Sequence, residues 1–152
     1  MTAATELQRD RANGIYRYLI DTSAAARMRH PEVCGRLAPR IEAGIVATTA
    51  QLDAEALYSA RNSAGYEQLW SDRRVAYEYL PTGDEDWRAA LNVQRELARD
   101  GQHPAVGMAD LLIATLAAAH DLTLIHYDAD FEVAARVIAL QHRWVVQRGK
   151  VD

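Results

Sequence analysis

Three aspartates stand where the chain changes from one kind of segment to another, and carboxylates in such places can do metal chemistry. Asp21 ends the apolar run RYLI. Asp110 opens an Ala/Leu-rich stretch, ADLLIATLAAAH. Asp128 ends LTLIHY, with Asp130 two residues on. Carboxylates brought together repel, and crowding them is costly unless a cation neutralises them. Hard oxygen ligands suit Mg²⁺ or Mn²⁺. Mg²⁺ keeps several waters and touches only one or two carboxylates directly, so the remaining acids are left to orient water. Such an ion lowers the pKa of its water and stabilises charge on a phosphoryl oxygen, which is most of what phosphodiester hydrolysis requires. This chemistry is open to the chain only if its fold brings the three acids together.

The elements that would do so alternate between strand and helix. Arg17–Ile20 suits a first strand with Asp21 at its end, followed by a helix start for which Ser23 is a plausible N-cap. Pro31–Ala43 fits a helix stopped by Gly44, and Ile45–Thr48 a second strand. A helix runs from Thr49 or Ala50 to about Ser59. Asn62–Gly65 interrupts, a short helix covers Tyr66–Arg73, and Val75–Leu80 is a third strand. Thr82–Glu85 matches a capping box that opens a helix with an apolar stripe at Trp87, Ala90, Leu91, Gln94, Leu97 and Ala98. The stretch from Met108 then places Met108, Leu111, Leu112, Thr115, Leu116 and Ala119 on one buried helical face. Leu122–Tyr127 is a fourth strand, apolar enough to be covered on both sides. A helix from Phe131 to about Leu140 and a strand over Arg143–Val146 complete the pattern.

Alternation of this kind indicates an α/β domain with a mostly parallel sheet and right-handed crossovers. In the doubly wound order 3-2-1-4, strands one and four lie side by side, and ligands bind beyond their carboxyl ends. Those are the two strands that end in Asp21 and Asp128, and Asp110 begins the helix just before strand four. The predicted acid cluster therefore falls at the crevice.

Composition agrees with a soluble domain of this size. The 152 residues are 49% hydrophobic and 25% charged, with a net charge of −4 and a single cysteine, Cys34. A lone cysteine excludes an intrachain disulfide and fits a cytoplasmic setting. A negative balance argues against a nucleic-acid binder, unless several acids converge on a cation and cease to act as free charge. Residues 1–16 are polar and aperiodic, and are expected to form a flexible N-terminal extension.

YLIDTSA, AEALYSAR and MADLLIATLAAAHDLTLIHYDADF together resemble the PIN domain, in particular the VapC-type ribonuclease toxins of type II toxin–antitoxin modules. The likeness spans about Tyr18 to Val146 and is most specific in the last segment. It implies a PIN-like nuclease domain over 17–148, a three-layer α/β/α fold with strand order 3-2-1-4-5. It also implies a catalytic set of four acids, Asp21, Glu55, Asp110 and Asp128. Asp21 and Asp110 would hold Mg²⁺ or Mn²⁺ directly, with Glu55 and Asp128 acting through water or a second ion. Ser23 would support the site by orienting water or phosphate. The implied activity is metal-dependent endonucleolytic cleavage of RNA, of a tRNA or rRNA class, by a homodimer held inactive by a VapB-type antitoxin. Tyr127 departs from the family pattern, where Thr is frequent, and the chain before Tyr18 is longer than in many members.

Each of these residues also has a plainer role. Asp21 can cap a helix, Asp110 can favour a helix dipole, Asp128 can sit in a turn and Asp130 can be an N-cap. Asp53 competes with Glu55, but two residues along a helix turn through about 200°, so the two cannot share a face. Glu55 is preferred because Leu52 and Ser59 mark the inward side. His126 fits a packed strand histidine, and His30, His103, His120 and His142 show no metal-ligand spacing. Arg61, Arg73 and Arg74 suit a solvated helical face, and Trp70, Trp87 and Trp144 suit core or interface. A phosphatase reading, which also places an Asp after strand one, and a signalling reading stand beside the nuclease reading. A haloacid-dehalogenase-like phosphatase wants a second Asp where this chain has Ser23, and a receiver-like module wants an Asp after strand three. A non-catalytic PIN-like binding module is the remaining alternative.

Overall fold

The structure, a computed structural model, describes residues 17–152; the expected N-terminal extension, 1–16, lies outside the described residues. Five short parallel strands form the sheet: β1 (Tyr18–Ile20), β2 (Val46–Thr48), β3 (Glu78–Tyr79), β4 (Thr123–His126) and β5 (His142–Trp144), in the order β3-β2-β1-β4-β5. Seven α-helices connect them: α1 (Thr22–Ala25), α2 (Pro31–Glu42), α3 (Ala50–Leu57), α4 (Ser63–Ala76), α5 (Asp84–Arg99), α6 (Met108–Ala119) and α7 (Asp130–Ala134). A single 3₁₀ turn, His103–Ala105, precedes α6. The expected order 3-2-1-4-5 is the order found.

Alternation along the strands divides the core in two. Leu19, Ala47 and Leu124 face one way, onto Ala90, Val93 and Leu97 of α5, onto α6, and onto Phe131 of α7. Tyr18, Ile20, Val46 and Ile125 face the other way, onto Val33 and Leu37 of α2 and onto Val145 and Val146. Residues Leu111 to Ala117 of α6 are all buried, so this helix is enclosed on every side. The expectation of one buried face is thus too narrow, and Ala119 is exposed.

Several local readings need correction. Asn62 does not interrupt a helix but starts one: its Oδ1 accepts from Gly65 N at 2.8 Å, and α4 then runs fourteen residues. Val75 and Ala76 therefore end α4, and β3 keeps only Glu78 and Tyr79. The N-cap of α5 is Gly83, one residue after Thr82, with its amide donating to Asp86 Oδ2 at 2.8 Å. The buried stripe of α5 is Ala90, Val93 and Leu97, while Trp87 and Leu91 are half-exposed. Helix α7 is shorter than expected, and β5 begins one residue earlier and ends at Trp144. Trp70, like Trp87, lies on the surface rather than in the core.

Helix α4 contains no fully buried residue, so packing alone holds it weakly. Its anchor is electrostatic. Arg73 Nε meets Asp53 Oδ1 at 2.8 Å, Arg74 Nη2 meets Asp53 Oδ2, and Thr48 Oγ1 donates to Asp53 Oδ1 at 3.0 Å. Arg73 and Arg74 thus pair with the buried carboxylate of Asp53 rather than standing free on a solvated face, although Arg74 itself remains exposed. Removing one member of such a set leaves partners unpaired. Asp53→Ala is expected to lower stability by about 2–4 kcal/mol in urea unfolding, whereas Glu55→Gln, two residues on, leaves the midpoint close to wild type.

Candidate active site

β1 and β4 are adjacent and in register, Ile20 opposite Ile125, and the amide of Asp21 donates to Ile125 O at 2.9 Å. Both strands end at the same edge of the sheet, so Asp21 and the Tyr127–Asp130 turn emerge side by side. α6 is aligned so that its first turn, with Asp110, reaches the same edge. Carboxylate oxygens of Asp110, Asp128 and Asp130 all lie within 4.8 Å of one another. Asp21 is 5% exposed, and its carboxylate accepts from Ser23 N at 3.0 Å. It is therefore both the N-cap of α1 and a neighbour of the acid trio; Ser23 is not the cap. Glu55, on α3, is exposed, and Thr22 Oγ1 donates to its Oε2.

Electrostatics shows the same convergence. The Asp110 carboxyl is pushed up to about 7, first by burial and then by the charges of Asp21, Asp128, Asp130 and Glu55, in that order. An acid in the first turn of a helix is ordinarily favoured as an anion; here burial and like charge outweigh the helix dipole. Asp21 is also raised, chiefly by burial. The Ser23 hydroxyl and amide oppose that shift, and Glu55 and Asp128 add to it. Asp130 is raised by burial and by Asp128. All of these donors are hard oxygens of the kind a divalent cation prefers, and a raised carboxyl such as Asp110 must release its proton to meet one.

The turn that carries Asp128 and Asp130 is fixed from several sides. Tyr127 N donates to Ser23 Oγ at 2.9 Å, and Asp130 N donates to Asp128 Oδ1 at 2.9 Å. Asp128 N donates to His126 Nδ1 at 3.2 Å. His126 is fully buried, and burial, then His142, lowers its pKa to about 4, so the ring is neutral. With Nδ1 accepting, the proton is on Nε2, which faces His142 Nδ1 at 2.9 Å. The reading of His126 as a packed histidine agrees with this. The sequence pattern missed that the ring also braces the site turn and pairs with His142.

Asp130, set aside in the sequence as an N-cap, is no cap; that position is Ala129. Asp130 belongs to the tight trio instead. Gln51 is a further polar neighbour with no signal in the pattern. It lies one turn before Glu55, and its Nε2 donates to Ala109 O at 3.0 Å. Beside Glu55 and Thr22 a groove of about 500 Å³ runs between α1, α3 and α4, lined largely by apolar side chains such as Ile20, Ala25, Leu52 and Leu69. Among the described residues no helix is long and apolar enough to cross a membrane.

The raised Asp110 pKa has a consequence for stability. In the unfolded chain the carboxyl titrates near 4, and in the fold near 7. Between these values the fold binds the extra proton, so this group's contribution declines as pH rises from about 4 to 7 and stays unfavourable above. His126, with its folded pKa below the unfolded one, acts in the opposite direction over about pH 4–6.5. A comparison at Asp110 separates the two. Metal-free Asp110→Asn is expected to melt about 2–6 °C above wild type at pH 8, with the gap closing toward pH 4, as measured by calorimetry over pH.

Comparison with known proteins agrees with this geometry. A family model described as PIN domain matches residues 18–137. Ribonuclease VapC21 of Mycobacterium tuberculosis is 40% identical over 133 residues, covering 88% of this chain and 96% of that protein. Ribonuclease VapC51 of the same organism is 38% identical over 136 residues, covering 90% and 98%. The structure is also similar to DNA-bound VapBC from Salmonella typhimurium, with a TM-score of 0.67 at 18% identity, covering 86% of this chain and 99% of that one; this likeness speaks to the fold. With a PIN-domain match over most of its length and two VapC relatives aligned nearly end to end, the chain belongs to the PIN-domain family, in its VapC branch.

Proposed function

We propose that this protein is a divalent-metal-dependent endoribonuclease and the toxin of a toxin–antitoxin pair, with Asp21, Glu55, Asp110 and Asp128 as its catalytic acids. The observation that carries the reading is the convergence of acids from the end of β1, α3, α6 and the β4–α7 turn, with Asp110 raised to about 7 by burial and then by the other acids. Relatives that share most of the chain are named ribonucleases. In this reading Asp21 and Asp110 hold Mg²⁺ or Mn²⁺ directly. Glu55 and Asp128 act through water or a second ion, and Asp130 lies within reach of the same centre. A divalent ion held there would supply Lewis-acid chemistry, lowering the pKa of water and offsetting charge on a phosphoryl oxygen.

The chain's own residues do the rest. The buried wall behind the acids, Ile125 and Leu111 among it, lowers the local dielectric and sharpens their pull on a cation. Ser23 holds Asp21 through its amide and Tyr127 through its hydroxyl, which supports the geometry of two acids at once. The substrate is RNA, of the tRNA or rRNA class that the family resemblance implies. The inhibitory partner is a VapB-type antitoxin, a reading supported by the solved relatives, which are VapBC complexes. The apolar groove that runs up to Glu55 offers such a partner a surface beside the acids. The exposed aromatics between Tyr58 and Trp87 offer apolar area to a homodimer contact.

The test is RNA cleavage by purified protein, with growth on induction as its cellular counterpart. Cleavage is expected to require Mg²⁺ or Mn²⁺, to stop with chelator and to return on adding metal. Asp21→Asn and Asp110→Asn are each expected to reduce it about 100-fold or more and to relieve growth arrest. Undiminished cleavage in chelator, or equal toxicity of both variants, overturns the assignment.

A further inference from the structure

We infer that Gln51 and Thr22 are positioning residues that clamp Glu55 into the acidic site by neutral hydrogen bonds. The inference rests on the nuclease reading above and deepens it. Glu55 is exposed, and its charge falls on Asp21 and Asp110. Repulsion and side-chain entropy both favour an outward swing of so long a side chain. Each of its carboxylate oxygens is nevertheless held. Thr22 Oγ1 donates to Oε2, and Gln51 Nε2 donates to Oε1 at 3.4 Å.

Gln51 does a second thing with the same nitrogen, which donates to Ala109 O at 3.0 Å. Both of its partners are pure acceptors, a carboxylate and a carbonyl, so only the NH₂ end of the amide can face them. That fixes the side chain's orientation and leaves Gln51 Oε1 buried with no partner. Buried acceptors are rarely left unpaired, and such a loss is typically kept where a site needs it. The bonds form one chain: Thr22, adjacent to Asp21, holds Glu55; Gln51 holds Glu55 and reaches the carbonyl next to Asp110. α1, α3 and α6, the elements that present three of the acids, are stapled together by it.

Neutral donors suit this task better than cations would. A Lys or Arg at either position would hold Glu55 more strongly, but it would also cancel the charge and compete with a divalent ion. A hydroxyl and an amide restrain the carboxylate and leave its charge in place. Gln51 and Thr22 act through Glu55 and touch no reacting atom.

The experiment is Mn²⁺ titration by calorimetry on the full chain, with the melting temperature of each variant recorded alongside. Gln51→Met, near in volume but without donors, is expected to weaken Mn²⁺ binding about tenfold with little change in melting temperature. Thr22→Val is expected to do the same, and Thr22→Ser to bind like wild type. In a Glu55→Gln background, Gln51→Met is expected to add nothing. Wild-type affinity in both Gln51→Met and Thr22→Val overturns the inference and leaves the nuclease reading standing. An equal loss from Gln51→Met with and without Glu55 also overturns it, since Gln51 would then not act through that residue. Failure of the wild-type chain itself to bind Mn²⁺ overturns both.

Discussion

Like charge held at close quarters is the constraint around which this molecule is arranged. Acids from four separate parts of the chain share one edge of a parallel sheet, and three of them bring oxygens within 4.8 Å of each other. Nothing local favours this. It is enforced by register, because β1 and β4 pair with Ile20 opposite Ile125, and by α6, whose buried stretch Leu111–Ala117 anchors the turn that carries Asp110. Burial first, and then the surrounding like charge, raise the Asp110 carboxyl to about 7, so the folded site favours a proton there. Instability concentrated at one spot is released by whatever binds there, so it becomes affinity. A core of this extent tolerates such a spot because the two apolar layers on either face of the sheet are otherwise complete.

Asp53 and Glu55 show how the chain separates structural acids from available ones. They are two residues apart on one helix and point to different faces. Asp53 is buried, with Arg73, Arg74 and Thr48 on its two oxygens, and it anchors α4. Glu55 is exposed and held by a hydroxyl and an amide. The two differ in burial and in the nature of their partners, and the second difference decides what charge they present. A carboxylate matched by guanidinium has its charge already answered; one matched by neutral donors still presents it. Ion pairs elsewhere in the fold, Asp84 with Arg88 and Glu96 with Arg99 among them, follow the first pattern.

The parts of this arrangement that were legible in the sequence are those set by periodicity and by strand ends. The runs RYLI and LTLIHY read as strands because their apolar content is continuous, and the acid after each is visible without coordinates. Helical rotation correctly separates Asp53 from Glu55, but the inward side is not the one that Leu52 and Ser59 were expected to mark: Asp53 is buried beside Leu52, while Glu55 and Ser59 are exposed. Local signals that serve two purposes were misread. Asn62–Gly65 has the composition of a break, yet Asn62 caps the helix that follows, and β-favouring Val75 is carried into that helix by the turns before it. Asp130 looked like a cap because it begins α7, whereas its role depends on an approach of α6 that no local pattern reports. Gln51 was invisible for the same reason: a glutamine on a helix carries no sign that a carbonyl 58 residues away will meet its amide.

Tyr127 illustrates how a departure from a family pattern is absorbed. The residue stands between β4, which delivers Asp128, and the acid itself. The phenol extends away and organises the end of the chain. Its hydroxyl donates to Val151 O at 2.7 Å and accepts from Gly149 N at 2.8 Å and Val151 N at 3.2 Å, while Arg27 lies 4.5 Å over the ring. What remains for the site is the backbone of Tyr127, whose amide is taken by Ser23 Oγ. The acid site thus draws on the backbone of Tyr127, while its side chain is committed to the 149–151 segment. The burden falls on Ser23, which holds the β4 end with its hydroxyl and Asp21 with its amide. A side chain without an acceptor there would free the Tyr127 amide and loosen the β4 end, while the backbone amide would still hold Asp21.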